Sequence, residues 1–202
     1  MLLTNYALDK FVSQQLSQLT ECNVFNVAER YSQAKHWVSN FVLNSMFGGS
    51  VLEEGRIFTF FFLRRAEAAF TEYESACQAL IEFVNAPSKR PSLYFRALHH
   101  FEMTIAMLWQ AYDLTKKALN HKLFNKGDGS DYERLNWIYN VSRHFNPLDL
   151  PSGQIHVIWL TNAGIQTEKH GVSFPELEEF LVEIGNLANS ISQAKRPEDT
   201  TT

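Results

Sequence analysis

YFRALHHFEMTIAMLWQAYDLTKKAL, residues 94–119, places Tyr94, Leu98, Phe101, Ile105, Leu108, Tyr112, Thr115 and Leu119 at spacings that alternate between four and three. Since ~3.6 residues complete a helical turn, these positions fall on one stripe of an α-helix. So regular a stripe, on a helix of roughly 30 residues, predicts packing against neighbouring helices in a bundle.

The segments on either side repeat the pattern. Towards the N-terminus, Leu8, Phe11, Val12, Leu16 and Leu19 mark an amphipathic helix over 6–19, and a second helix is expected over 27–47, ended by Gly48-Gly49. Ser50 is placed to cap a third, with Glu53 and Glu54 in its first turns, running to about Val84 with a bend near Gly55. Asn85-Ala86-Pro87 stops it, because the residue before proline avoids helical geometry. Towards the C-terminus, Asn125-Lys126-Gly127-Asp128-Gly129-Ser130 reads as a turn that opens a short helix through Phe145, and Pro147 and Pro151 bracket a loop. The string Ile155-His156-Val157-Ile158-Trp159-Leu160-Thr161 has the β-branched and aromatic content of an extended segment; with no evident partner strand, it is expected to strap the bundle near residues 155–161. Ser173, Pro175 and Glu176 form a capping signal for a last helix whose buried face is Leu177, Phe180, Leu181, Ile184, Leu187, Ala188 and Ile191.

The fold expected is therefore all-α, an antiparallel bundle of about six helices with one extended strap. One helical domain is expected over residues 1–194, with N-terminal helices in 1–85 and a disordered tail over 195–202.

Composition narrows the function classes. A formal net charge of −4 argues against a broad nucleic-acid-binding surface and confines any RNA contact to a local patch. Cys22 and Cys77 lie far apart without metal-ligand spacing, which suits free thiols in a reducing compartment; with no export signal, a cytoplasmic chain is expected. The apolar run Ile57–Leu63 stops at Arg64-Arg65, far short of the ~20 residues a membrane span needs, so no membrane association is expected.

No cofactor or metal motif is read. None of the histidines follows a glutamate by three residues, and His99 and His100 point about 100° apart on a helix. The glycine pairs lack the lysine and spacing of a phosphate loop.

The helix opening at Asp131 differs. Its Leu135, Ile138, Val141, Ser142 and Phe145 gather on one side, and Asn136, Asn140, Arg143 and His144 on another. Histidine suits proton transfer near neutrality, and Arg143 suits a phosphate or a developing negative charge. On pattern alone a solvated face is the simpler reading; Trp137 and Tyr139 beside it argue for an interface. Glu102, directly after core position Phe101, is expected to be partly buried and in want of a partner.

Leu135-Asn136-Trp137-Ile138-Tyr139-Asn140-Val141-Ser142-Arg143-His144-Phe145 resembles the signature helix of the HEPN superfamily, helical-bundle proteins many of which are ribonucleases or toxins in phage defence and toxin–antitoxin systems. The family pattern is an arginine, an asparagine and, four residues on, a histidine. Asn140 and His144 match the last two, Tyr139 stands in the arginine's place, and Arg143 lies next to the histidine. With the long helix from Leu98 to Tyr112 and the Trp159–Asn162 segment, the resemblance covers about residues 90–192. It implies a homodimer with the two motif helices facing each other and a cleft that binds RNA or another phosphorylated ligand. It also implies metal-independent endoribonuclease chemistry, with His144, Asn140 and Arg143 as catalytic candidates and Asn136, Tyr139, Arg134 and Glu102 as ligand contacts. The alternatives are a non-catalytic module that holds a cognate protein partner and a structural subunit of a larger assembly.

Overall fold

The computed structural model of the chain describes residues 4–24, 27–46, 53–119, 122–144 and 156–192. It is predominantly helical: α1 (Asn5–Phe11), the single-turn α2 (Val27–Arg30), α3 (Trp37–Met46), α4 (Glu53–Asn85), α5 (Pro91–Leu119), α6 (Asp131–Arg143) and α7 (Phe174–Ser192). Ser50, the Gly48-Gly49 break, Phe145, Pro147, Pro151, Ile155 and the 195–202 tail lie outside the described residues.

The stripe at 94–119 does what its period predicts. Tyr94, Leu98, Phe101, Ile105, Leu108 and Tyr112 are all buried, and α5 packs along α4 in the largest interface of the molecule. On α4, Ala66, Ala69 and Ala76 are fully buried, and such small side chains suit close packing of helices. The helices run antiparallel: Glu82 pairs with Arg96, Glu72 Oε2 lies 2.7 Å from His100 Nδ1, and Arg65 reaches Met107. α4 continues through Gly55.

The N-terminal helix expected over 6–19 ends at Phe11. Asp9 accepts hydrogen bonds from the Ser17 backbone N–H (2.7 Å) and hydroxyl (2.6 Å), Gln15 turns left-handed with φ 57°, and the Ser13 hydroxyl is drawn to the Tyr94 phenol at 2.6 Å. Side-chain hydrogen bonds to the backbone thus outcompete the helix. The second helix is likewise divided, into α2, a 3-10 turn over Ser32–His36 and α3.

The strap expected near 155–161 does find partners, which the sequence reading did not anticipate. Trp159–Leu160 (β1) pairs antiparallel with Gly164–Gln166 (β2), which pairs antiparallel with Gly171–Ser173 (β3), aligning Leu160 with Ile165 and Ile165 with Val172. Gly164 has no substitute in this sheet, since a Cβ there would lie 2.3 Å from the Val172 carbonyl oxygen. β3 runs directly into α7 through the expected capping box: the Ser173 N–H donates to Glu176 at 2.7 Å and the Glu176 N–H to the Ser173 hydroxyl at 3.3 Å.

One core links the first helix to the last, from Leu8 through Trp37, Phe70 and Phe101 to Ala188. Gly185 of α7 marks a close approach within it, because a Cβ there would meet the Tyr31 ring at 2.7 Å and the Phe70 ring at 3.0 Å. The Tyr31 hydroxyl is held by Asn186 (2.8 Å) and the Val182 carbonyl (3.2 Å), so its ring is not free to retreat. Gly185→Ala gains up to ~1 kcal/mol of helix propensity, yet overpacking of ~1–3 kcal/mol outweighs it. A net loss of about 1 kcal/mol is expected in chemical denaturation; a gain would show that the rings relax.

Among the described residues no helix is long and apolar enough to cross a membrane. Both cysteines are free thiols, Cys77 buried and Cys22 half-buried.

Candidate functional site

α6 carries the candidate face, and its ends are fixed by different means. The preceding turn holds Gly127 and Gly129 at φ 85° and 69°, conformations that glycine tolerates and side chains resist. Glu133 reaches back to the N–H groups of both glycines, 2.8 Å from Gly129, and Asp128 accepts from the N–H groups of Asn125 (2.6 Å) and Ser130 (2.9 Å). Ser130 then caps the helix by accepting the Glu133 N–H at 3.3 Å.

Leu135, Ile138 and Val141 are buried, as the helical spacing requires, and dock α6 on the core. The docking is reinforced by a group that sequence reasoning missed. Tyr112 of α5 and Tyr132 of α6 both donate to the Glu183 carboxylate of α7, at 2.7 and 2.9 Å, and join three helices at one charge. Burial and the adjacent carboxylate push both phenols upward, Tyr132 to about 12, so they stay protonated donors. Glutamate and tyrosine so far apart in sequence gave no signal of this pairing.

Arg134 is committed to the scaffold. Its guanidinium donates to the Gly129 carbonyl at 3.1 Å and to Asp131 at 2.8 Å, and pairs with Glu176 of the α7 capping box. Glu176 is held below the usual carboxylate range; burial opposes this, and the Ser173 and Arg134 hydrogen bonds overcome it.

The other candidates cluster towards the C-terminal end of α6. The Asn140 amide donates to Asn136 Oδ1 at 2.6 Å, one turn earlier. Arg143 donates to the Tyr139 hydroxyl at 3.1 Å and lies 5.5 Å from the centre of that ring, a hydrogen bond and a cation–π contact with the same side chain. No carboxylate pairs with Arg143 among the described residues. His144 leaves the helix at φ −121°, ψ 86°; its N–H still donates to the Asn140 carbonyl at 2.9 Å, but no hydrogen bond joins its ring to the Asn140 side chain. Asn140, Arg143 and His144 are exposed, and a cation in this last turn lies at the negative end of the helix dipole.

The two aromatic flanks are less open than the sequence suggested. Trp137 is half-buried against the His170 ring (5.5 Å) with the Lys169 ammonium 4.6 Å over its face, and Tyr139 is half-buried 6.2 Å from Trp109. Packing within the chain accounts for both.

Glu102 lies on α5, half-buried as expected, and burial pushes its carboxyl up to about 7. Among the described residues it has no hydrogen bond or ion pair, and its charge is felt by the Tyr94 phenol. Arg143, Tyr139, Asn136, Asn140 and His144 thus cluster from the middle of α6 to its C-terminal end, while Arg134 is drawn to Glu176 and Glu102 belongs to α5.

Comparison of the chain with protein-family models, with curated proteins and with solved structures found no match.

Proposed function

We propose that the chain is a HEPN-like protein that works as a homodimer and binds RNA, or another phosphorylated ligand, at the exposed end of α6. The observation that carries this reading is Arg143, an exposed guanidinium steadied by the Tyr139 ring, without a carboxylate partner among the described residues, directly before the exposed His144. A guanidinium not already neutralised keeps its fork of donors for phosphate oxygens. The adjacent imidazole is the group suited to take the proton of a ribose 2′-hydroxyl near neutral pH. In that step the 2′-oxygen attacks phosphorus, the bond to the 5′-oxygen breaks, and the products are a 2′,3′-cyclic phosphate and a 5′-hydroxyl, with no metal required.

The test is incubation of the purified protein with mixed RNAs in EDTA, read by binding and by end-group analysis. His144→Ala is expected to slow cleavage about 100-fold. Arg143→Ala is expected to weaken binding about tenfold, the worth of one charge-assisted bond, and to flatten its salt dependence. If wild type and His144→Ala both leave RNA unbound and intact, the nucleic-acid reading is wrong.

A second reading, a non-catalytic interaction module, is favoured by Tyr139, which stands in the motif arginine's place and whose hydroxyl accepts from Arg143. Binding without cleavage by wild type selects it. Light scattering after size exclusion separates the dimer from a monomer, and a monomer removes the shared cleft.

A further inference from the structure

The polar side of α6 has a second rim, and the hairpin between β2 and β3 supplies it. Thr167, only 2% exposed, closes the hairpin tip: its N–H and its hydroxyl donate to the His170 carbonyl at 2.8 and 2.7 Å, and the His170 N–H lies 3.1 Å from the same hydroxyl. Glu168 and Lys169, the two residues between them, are exposed. With Thr167 they border one shallow depression beside Trp137 and Val141 of α6. The Lys169 ammonium lies 4.6 Å from the centre of the Trp137 ring, and the His170 ring meets the same indole edge-on at 5.5 Å.

At about 100° per residue, Tyr139 and Trp137 stand ~160° apart around α6, with Arg143, Asn136 and Asn140 on the arc between them. Each rim of that arc is an aromatic ring with a cation on it, Arg143 on Tyr139 and Lys169 on Trp137. Unlike a carboxylate, a ring face steadies a cation without cancelling its charge. One phosphate cannot reach both rims of a helix ~10–12 Å across its side chains; two phosphates joined through a sugar can. Glu168 beside Lys169 keeps the hairpin tip from being a basic cluster, so its pull on phosphate is local to the ammonium. Between the rims the Asn140 amide donates to Asn136 Oδ1 at 2.6 Å, and neither amide has another partner among the described residues. The pair keeps an acceptor on Asn140 and donors on Asn136. That mixture matches the edge of a base better than the acceptor-only carboxylates of an acidic peptide.

We propose that Lys169 is a second phosphate-binding residue of this face, and that the face takes an oligonucleotide strand with one phosphate at Arg143 and another at Lys169. This role for Lys169 rests on the phosphate-binding reading of α6 and narrows it from any phosphorylated ligand to a strand with at least two phosphates.

The experiment displaces a labelled 2′-O-methyl uridine octamer, which cannot be cleaved at its blocked 2′-oxygens, from the full chain. The competitors are 5′-phosphorylated 2′-O-methyl uridine mono-, di-, tetra- and octanucleotides, with octaglutamate as the peptide arm. The tetranucleotide is expected to bind at least tenfold more tightly than the mononucleotide. Lys169→Gln, a surface change checked by its melt, is expected to weaken the tetranucleotide about fivefold and to lower its salt slope by about 0.7, while leaving the mononucleotide unchanged. Lys169→Arg, which keeps a cation over the indole, is expected to bind as wild type does, and Arg143→Ala to weaken every length. Equal affinity for the mono- and tetranucleotide overturns the role of Lys169 and leaves the α6 reading standing. So does undiminished tetranucleotide binding by Lys169→Gln when Arg143→Ala has lost it, or an equal loss in Lys169→Arg, which would mean that Lys169 acts by packing rather than by charge. Displacement by octaglutamate as strong as by the octanucleotide overturns it in favour of an acidic peptide. A wild type that binds no oligonucleotide removes both readings together.

Discussion

Trp37→Ala is expected to cost about 4 kcal/mol of unfolding free energy, within the ~3–5 kcal/mol range for a fully buried large aromatic. In a chain of 202 residues that corresponds to a drop of roughly 10 °C in Tm. Trp37 is completely buried at the start of α3, edge-on to Phe70 of α4 (5.2 Å, 88°) and 6.4 Å from Tyr31. Its indole N–H donates to Asn189 Oδ1 of α7 at 2.6 Å. Truncation therefore opens a cavity where three elements meet and strips Asn189 of a partner. Trp37→Phe, which refills most of the volume but not the hydrogen bond, is expected to recover more than half of the loss. The melt matters as much as its midpoint. Because the ring joins the N-terminal helices to α7, circular dichroism and fluorescence should report one transition, displaced as a whole. A C-terminal transition left in place would show that the helices before residue 85 do not share a core with the rest.

Residues whose structure is set locally were legible in the sequence, and those set by distant partners were not. The Tyr94–Tyr112 stripe needed only the helical period, and the Ser173/Glu176 capping box only a spacing of three. The first helix was overextended because its stop is made by Asp9 on Ser17 and by Tyr94 on Ser13, a residue 81 positions away. The β-strands, two and three residues long with a glycine beginning two of them, fall below the length at which alternation carries information. On α6 the division into buried and polar faces was visible, since it is a rotation of about 100° per residue. That Arg134 is bound to Glu176 while Arg143 is not lay beyond it, because the deciding carboxylate belongs to another helix.

Glu102 is a carboxylate that the fold buries without a hydrogen-bond partner among the described residues, and it yields the second large effect. Its carboxyl rises from 4.5 to about 7 in the folded chain through burial. A group whose folded pKa is raised binds its proton more tightly in the native state, so the stability that Glu102 contributes is fully present below pH 4.5, falls through the window from 4.5 to 7, and levels off above it. At ~1.36 kcal/mol per unit the loss across that window amounts to about 3 kcal/mol. Glu102→Gln keeps the shape and removes the titration. It is expected to be about 3 kcal/mol more stable than wild type at pH 8 and nearly equal to it at pH 4.5. Urea denaturation at a series of pH values measures the difference directly, and a difference independent of pH would mean that the carboxylate is solvated after all. A glutamate held at such a cost, where glutamine fits, is the kind of local inconsistency that function tends to preserve. If an RNA or other ligand added to the wild type abolishes the pH dependence, a cationic or hydrogen-bonding group of that ligand has reached Glu102, and α5 belongs to the binding surface with α6. If the dependence survives saturation with ligand, Glu102 is a strained residue of the bundle alone, and the α6 face acts without it.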